Sequence, residues 1–392
     1  MLLILKGYEV MEQSQSLNGY TSATVVATTS NFIMVREEPF THTYRTVIRL
    51  REQGTLKLRF GFSNTVDSTW EQGTIAWAGR EGGAWRIEAA CIADGGIDHN
   101  CSYNEGTLVH LTFGGTGTRD VLPGEQFYSD PVEIYLPDGH DLMFSWTLSA
   151  GPGASIPYNT EQMLVTAYDA PGFRAAQPNE DGFRKSDNLL VLPSWIGYEK
   201  DTVQELVFFG DSITQGVRTA QDGYDYWVAK IANQLGPACG VWNLGSGWAR
   251  AYDAATDTAW LRKAKQGKDK IVLCLGVNDI DIGCRTAEQL LSDLQDIIYR
   301  LKNHNPDVKI ILCTVPPFNF VEEREQIWRT VNARIRGLSL SGVDRVFDIA
   351  EVLSQPAPHE HLLQRQYMSS EFDPHPNGLA GTRIAEAFLR WY

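Results

Sequence analysis

The chain's most chemically suggestive stretch is Leu206–Gly216, LVFFGDSITQG, where a run of bulky apolar residues ends at Gly210-Asp211-Ser212. A serine hydroxyl is a weak nucleophile until a base within hydrogen-bond reach takes its proton. His375, in Asp373-Pro374-His375-Pro376-Asn377-Gly378, is a histidine surrounded by turn residues and suits that task. Two further loops offer amide donors: Asn243-Leu244-Gly245-Ser246-Gly247-Trp248 and Gly276-Val277-Asn278-Asp279. A hydroxyl attacking a carboxylic ester creates an oxyanion, and each preorganised donor aimed at it is worth ~3–4 kcal/mol in the transition state. The candidate donors are the Ser212 N–H, a glycine N–H from Gly245 or Gly247, and the Asn278 side-chain amide. Alone, Gly-Asp-Ser favours the reading of a helix-capping serine after a strand. The order of the partner loops is what favours acyl-transfer chemistry.

Those loops converge only if the elements before them run side by side. Strand patterns fall at Leu206–Phe209, Gly240–Leu244, Lys270–Leu275, Lys309–Thr314 and Arg345–Ile349. Helical spacing separates them, most clearly from Thr286 to about Asn303. There Thr286 and Gln289 form a capping box, and Leu290, Leu291, Leu294, Ile297, Ile298 and Leu301 form one apolar stripe. Alternating strands and helices predict an α/β fold with a parallel five-stranded sheet and helices on both faces, doubly wound. Each strand's following loop then lies at the carboxyl edge, where open α/β sheets bind ligands.

The first half reads differently. Tyr20–Val26, Arg45–Arg51, Thr55–Phe62, Trp85–Ile92, Thr107–Phe113, Val132–Leu136, Leu142–Leu148 and Met163–Ala167 are short, β-branched and aromatic runs between turn residues. They predict an all-β sandwich or jelly-roll-like domain over residues 1–195, followed by the α/β domain over 196–392. The polar stretch Arg174–Asp187 reads as the connection between them.

Composition narrows the partners. The formal charge of −14 leaves no basic stripe for nucleic acid and none for an anionic membrane. No stretch approaches a membrane span. The apolar run Met1–Leu5 is shorter than a signal-peptide core and has no basic segment before it, so the cytoplasm is expected unless an export signal stands upstream. The six cysteines are dispersed. Asp98-His99-Asn100-Cys101, with Cys91, matches no zinc spacing, and His359-Glu360-His361 reads as a solvated segment. Asp211 and Asp279 read as acceptors for loop backbone. Arg218 and Arg250 read as surface charges, and Trp248 as a face on which a sugar or aryl group stacks. No P-loop lysine and no dinucleotide fingerprint is present. No metal and no cofactor is expected, and oligomeric state is not readable.

Phe209-Gly-Asp-Ser-Ile-Thr-Gln-Gly216, the glycine loop after the second strand, Gly276-Val-Asn-Asp279 and His375-Pro-Asn377 together resemble the four blocks of the SGNH (GDSL) hydrolase superfamily, in its order. The resemblance implies a flavodoxin-like sheet, Ser212 as nucleophile, His375 as base, and Gly245 or Gly247 with Asn278 as oxyanion donors. Arg59–Asn64, Tyr128–Val132 and Asp141–Ser145 resemble the β-domain of two-domain bacterial carbohydrate and aryl esterases of that superfamily. Two positions depart from the pattern. The acid usually stands three residues before the histidine, where this chain has Phe372; Asp373 stands two before and Glu371 four before. A Ser-His dyad oriented by a backbone carbonyl is the alternative. The oxyanion glycine usually stands five after the Asn243 position, where this chain has glycines at two and four. The function so implied is a serine esterase for short-chain carboxylic esters, foremost O-acetyl groups on small or polymeric carbohydrates. A lysophospholipase, thioesterase or arylesterase is the rival within the superfamily, and a non-catalytic carbohydrate-binding protein the rival outside it.

Overall fold

The computed structural model of the chain describes residues 19–69, 77–160 and 164–392. The Met1–Leu5 run and Met163 lie outside them.

Residues 204–347 contribute a five-stranded sheet whose pairings are all parallel. Its order across the sheet is Cys239–Gly245, Gln204–Gly210, Lys270–Cys274, Lys309–Cys313, Arg345–Phe347. Alternate side chains of the Gln204–Gly210 strand feed opposite cores, as a period of two requires. Val207 and Phe209 pack with Trp260 and Leu290, whereas Leu206 and Phe208 pack with Trp227 and Phe388. All four are buried, so both faces of the sheet are covered. The chain's first parallel strand lies between the second and the third. Connections from the first and the third leave in opposite directions and open a crevice at the carboxyl end of Gln204–Gly210.

The strands of residues 20–199 pair antiparallel throughout. One sheet carries Tyr20–Ser22, Trp195–Glu199, Gly54–Ser63, Gln126–Tyr128 and Val132–Leu136. A second carries Phe40–Ile48, Leu142–Ala150, Trp85–Asp94 and Ala167–Pro171, with three short strands. Their facing residues share one core, with the Phe60 and Phe144 rings 5.3 Å apart. The motif blocks at 59–64 and 128–132 meet there: Ser129 accepts from the Phe60 N–H at 3.0 Å, and Arg59 Nε donates to the Ser129 carbonyl at 3.2 Å.

Two readings are corrected. Arg174–Asp187 is no linker. The buried Arg45 donates to the carbonyls of Arg174, Ala175 and Gln177, and Arg184–Lys185 pairs with the Ala167–Pro171 strand. The position 195/196 falls inside a strand of the antiparallel sheet, and Lys200–Val203 leads into the parallel one. Among the described residues no helix is long and apolar enough to cross a membrane.

Candidate active site

The Gln204–Gly210 strand ends against close neighbours, since a Cβ on Gly210 would sit 2.1 Å from Thr214 Oγ1 and 2.5 Å from the Cys274 carbonyl. The chain then turns into a short helix, Ser212–Gln215, whose N-cap Asp211 accepts from the Ile213 N–H at 2.9 Å. Ser212 opens that helix, so its own N–H has no partner within the helix. Burial pushes the Asp211 carboxyl up to about 7. Its partner is backbone, as expected for a loop-building aspartate.

His375 sits on the extended segment Asp373–Pro376, paired antiparallel with Met368–Ser370. Side chains two apart on extended chain point the same way, which explains why an acid two residues before the histidine reaches it. The contacts run in series: Ser212 Oγ to His375 Nε2 is 3.1 Å, and His375 Nδ1 to Asp373 Oδ1 is 2.6 Å. The same Asp373 oxygen accepts the His375 backbone N–H at 3.1 Å. The hydrogen bond from His375, aided by its charge and that of Arg218, holds the Asp373 carboxyl well below the usual carboxylate range. Glu371 is exposed. The Phe318 ring meets the imidazole edge to face, with centroids 5.1 Å apart.

Asn278 lies in the short helix Val277–Asp281 after the third parallel strand. One N–H of its amide donates to the Ala249 carbonyl at 3.0 Å, and an amide carries a second. Asp279 beside it accepts the backbone N–H groups of Ala251 (2.8 Å) and Tyr252 (3.3 Å), and burial pushes its carboxyl up to about 7. The two candidate glycines differ. The Gly245 N–H donates to Asn243 Oδ1 at 2.9 Å and is already spent. The Gly247 N–H makes no hydrogen bond among the described residues. Trp248 follows it, half-buried, with φ of 64°, a conformation unusual for a bulky side chain.

Neither arginine is an ordinary surface charge. Arg250 is buried and bonds Asp253 and Thr69. Arg218 Nε donates to Asp373 Oδ2 at 2.7 Å. Arg218 and Phe318 were both missed from sequence. Phe318 follows the fourth parallel strand, so the carboxyl-edge rule applied to the other loops would have found it. Nothing local marks Arg218. His99 bridges Asp141 (2.9 Å) and Asp222 (3.2 Å), and His361 joins Glu325 and Arg329, so both belong to ion-pair clusters. Among the described residues no group of three His, Cys, Asp or Glu could hold a metal ion.

A hydroxyl, an imidazole and a carboxylate in series, at a rim supplied with amide donors, can take a proton from serine and return it to a leaving alcohol.

Residues 208–380 match the GDSL-like lipase/acylhydrolase family. An uncharacterized protein of Mycoplasma pneumoniae is 27% identical over 177 residues, 38% of this chain and 19% of that one, so the match spans about a fifth of the relative. Among solved structures, a family two carbohydrate esterase from Clostridium thermocellum in complex with cellohexaose aligns over 91% of this chain and 93% of its own, at 13% identity and a TM-score of 0.39. A family 3 carbohydrate esterase from Talaromyces cellulolyticus aligns over 47% and 94%, at 20% identity and TM-score 0.36. A G-D-S-L family lipolytic protein from Veillonella parvula aligns over 48% and 97%, at 17% and 0.37.

Proposed function

We propose that the chain, whose residues 208–380 match the GDSL-like lipase/acylhydrolase family, is a serine esterase in which Ser212 is the nucleophile, His375 the general base and Asp373 the orienting acid. The reading is carried by the unbroken series Ser212 Oγ, His375 Nε2, His375 Nδ1, Asp373 Oδ1 at 3.1 and 2.6 Å. Ser212 Oγ attacks the ester carbonyl while His375 takes its proton. The imidazolium then gives that proton to the departing alcohol, leaving an acyl-serine. Water, deprotonated by the same imidazole, releases the acid and restores the hydroxyl. The Ser212 and Gly247 N–H groups and the second Asn278 N–H are assigned to the oxyanion. Gly245 is not, because its N–H is engaged.

For the substrate we favour short acyl groups on a carbohydrate, acetyl first. The resemblance of residues 59–64, 128–132 and 141–145 to esterase β-domains supports this, as does Trp248 at the rim. We assign the antiparallel strands of residues 20–199 to an accessory domain, and the parallel sheet with its helices to the catalytic one.

Ser212→Ala tests the chemistry. It should lower kcat on p-nitrophenyl acetate about a millionfold, abolish labelling by a fluorophosphonate, and leave the circular dichroism unchanged. Activity near wild type would refute the assignment. Acetate release from acetylated xylan and sugar acetates, set against esters of rising chain length, tests the substrate. A rate that climbs toward long acyl chains would favour a lysophospholipase or thioesterase.

A further inference from the structure

Arg218 enters the site from a direction the motif blocks do not cover. The helix that opens with Ser212 closes on the Ser212 carbonyl, which accepts the N–H groups of Gly216 (2.9 Å) and Val217 (3.0 Å). Arg218 is the next residue, so the nucleophile's helix and the arginine are one continuous piece of chain. Its Nε reaches across 155 positions of sequence to Asp373 Oδ2 at 2.7 Å. The two oxygens of Asp373 are thereby divided: Oδ1 takes the imidazole and the His375 N–H, and Oδ2 takes the guanidinium. A carboxylate on a four-residue extended segment can rotate about its side-chain torsions. A second charge-assisted bond at the far oxygen fixes the one rotation that keeps Oδ1 on Nδ1.

The loop that presents Arg218 is itself strained and tied down. Arg218, Asp222 and Tyr224 have φ of 71°, 58° and 52°, left-handed values that non-glycine residues rarely adopt without outside support. The support comes from residues 20–199. Asp222 accepts the Thr166 N–H (2.8 Å) and hydroxyl (2.6 Å), and its own N–H donates to the Leu164 carbonyl at 2.8 Å. His99 Nδ1 lies 3.2 Å from its carboxylate, and the Tyr224 hydroxyl accepts the Arg49 N–H at 2.8 Å.

We propose that Arg218 is a positioning residue for the esterase reaction, holding Asp373 in register with His375, and that the antiparallel half serves catalysis by holding the loop that presents it. The inference rests on the proposed Ser212–His375–Asp373 reading. It deepens that reading by explaining how an acid in an unusual position is kept in line.

The test is a double-mutant cycle of Arg218→Ala and Asp373→Ala, read as kcat and KM on p-nitrophenyl acetate, with Ser212→Ala alongside. Arg218→Ala should lower kcat about tenfold or more while KM stays within about twofold, in line with loss of one hydrogen bond to a charged group. In the Asp373→Ala background the same change should alter kcat less than about twofold, because the arginine then has nothing to position. Arg218→Lys should recover part of the loss. Asp222→Asn should reduce kcat in the same direction as Arg218→Ala and have no further effect on top of it. Equal losses in both backgrounds, or no loss in either, would overturn the proposal. If Arg218→Ala does not fold by circular dichroism, the cycle is run with Arg218→Lys. Full activity in Ser212→Ala would sink the parent reading instead, so the two failures are told apart.

Discussion

Replacing Asp373 by Asn changes one atom and asks whether the imidazole works against a charge. The surroundings decide which way the new amide faces. With its oxygen toward His375, it still accepts the Nδ1 and backbone N–H groups, but its NH₂ confronts the Arg218 Nε–H that now donates at 2.7 Å. Flipped, it satisfies neither donor from His375 in its working tautomer. The first orientation creates one conflict and the second creates two, so the first should prevail. The imidazole then keeps its tautomer and loses only the negative charge beside the imidazolium formed in the transition state. Asp373 is 23% exposed at the side chain, a setting in which an effective dielectric near 20 applies. Two unit charges about 4 Å apart then interact by about 4 kcal/mol, equivalent to about a thousandfold in rate.

The assay is kcat for p-nitrophenyl acetate and, in parallel, for an aliphatic acetate whose alkoxide needs the returned proton. Asp373→Asn should lose about a thousandfold on both, with an unchanged circular dichroism spectrum at pH 8. Glu371→Gln, altering an exposed carboxylate, should stay within about twofold. If Asp373→Asn retains more than about a tenth of wild-type kcat, the carboxylate is not the group that supports His375, and a Ser-His dyad replaces the triad.

Asn278→Ala removes one of the donors we assign to the oxyanion and should lower kcat by about 10²–10³ with little change in KM, and the lost bond to Ala249 will also lower the unfolding midpoint. Gly245→Ala places a Cβ 2.1 Å from the Gln215 backbone nitrogen. Backbone cannot yield there, so thermal unfolding should show a loss of about 1–3 kcal/mol or more, and the shifted Ser212 helix should cost activity. Asp279 has its carboxyl raised by burial to about 7 in the folded chain, against about 4 when unfolded. The unfolded state therefore releases this proton first, and the group removes stability as pH rises from about 4 to 7, by up to about 1.4 kcal/mol per unit. Asp279→Asn abolishes that titration, so the deficit of the variant in denaturant unfolding should be largest near pH 4 and shrink toward pH 8.

What the sequence made legible follows from how local the signal is. The helix Ala287–His304 was readable because its cap is local: Thr286 Oγ1 accepts the Gln289 N–H while Gln289 accepts the Thr286 N–H. The expected Arg345–Ile349 strand stops at Phe347, because Asp348 caps a new helix at Ile349 and outweighs the apolar run. Strands at Phe32–Arg36 and Ala154–Tyr158 were missed. They pair with each other across more than a hundred residues, and Pro157 disguises one of them. At the site, Ser212 and Asn278 could be placed together because each directly follows a strand of one parallel sheet, whereas His375 lies on a separate antiparallel pair beyond the fifth strand and was marked only by the turn residues around it. Asp373 could not be separated from Glu371, since that choice turns on whether the segment is extended. Extended chain puts residues two apart on one side, and Asp373–Pro376 is extended. Arg218 depends on a left-handed backbone and a partner far along the chain, neither of which composition or period encodes.

Contacts distant in sequence also tie segments between the antiparallel strands to the Gly245–Gly247 loop that we assign to the oxyanion. Thr29 Oγ1 donates to the Gly245 carbonyl at 2.7 Å, Ser68 Oγ meets Ser246 Oγ at 2.5 Å, and Asn31 Nδ2 reaches the Gly247 carbonyl at 3.4 Å. Gln215, at the end of the nucleophile's helix, donates to Asn159, which in turn donates to the Thr29 carbonyl. Asp67 pairs with Lys263 at 2.6 Å, both buried, so removing either partner strands a charge in the interior. Hydrogen bonds to the Gly245 and Gly247 carbonyls from the neighbouring antiparallel strands' loops hold the backbone whose Gly247 N–H we assign to the oxyanion. Donors fixed before the substrate arrives are worth more than donors that must be ordered during the reaction, and on this arrangement the antiparallel half supplies that fixity at the oxyanion loop as it does at Arg218.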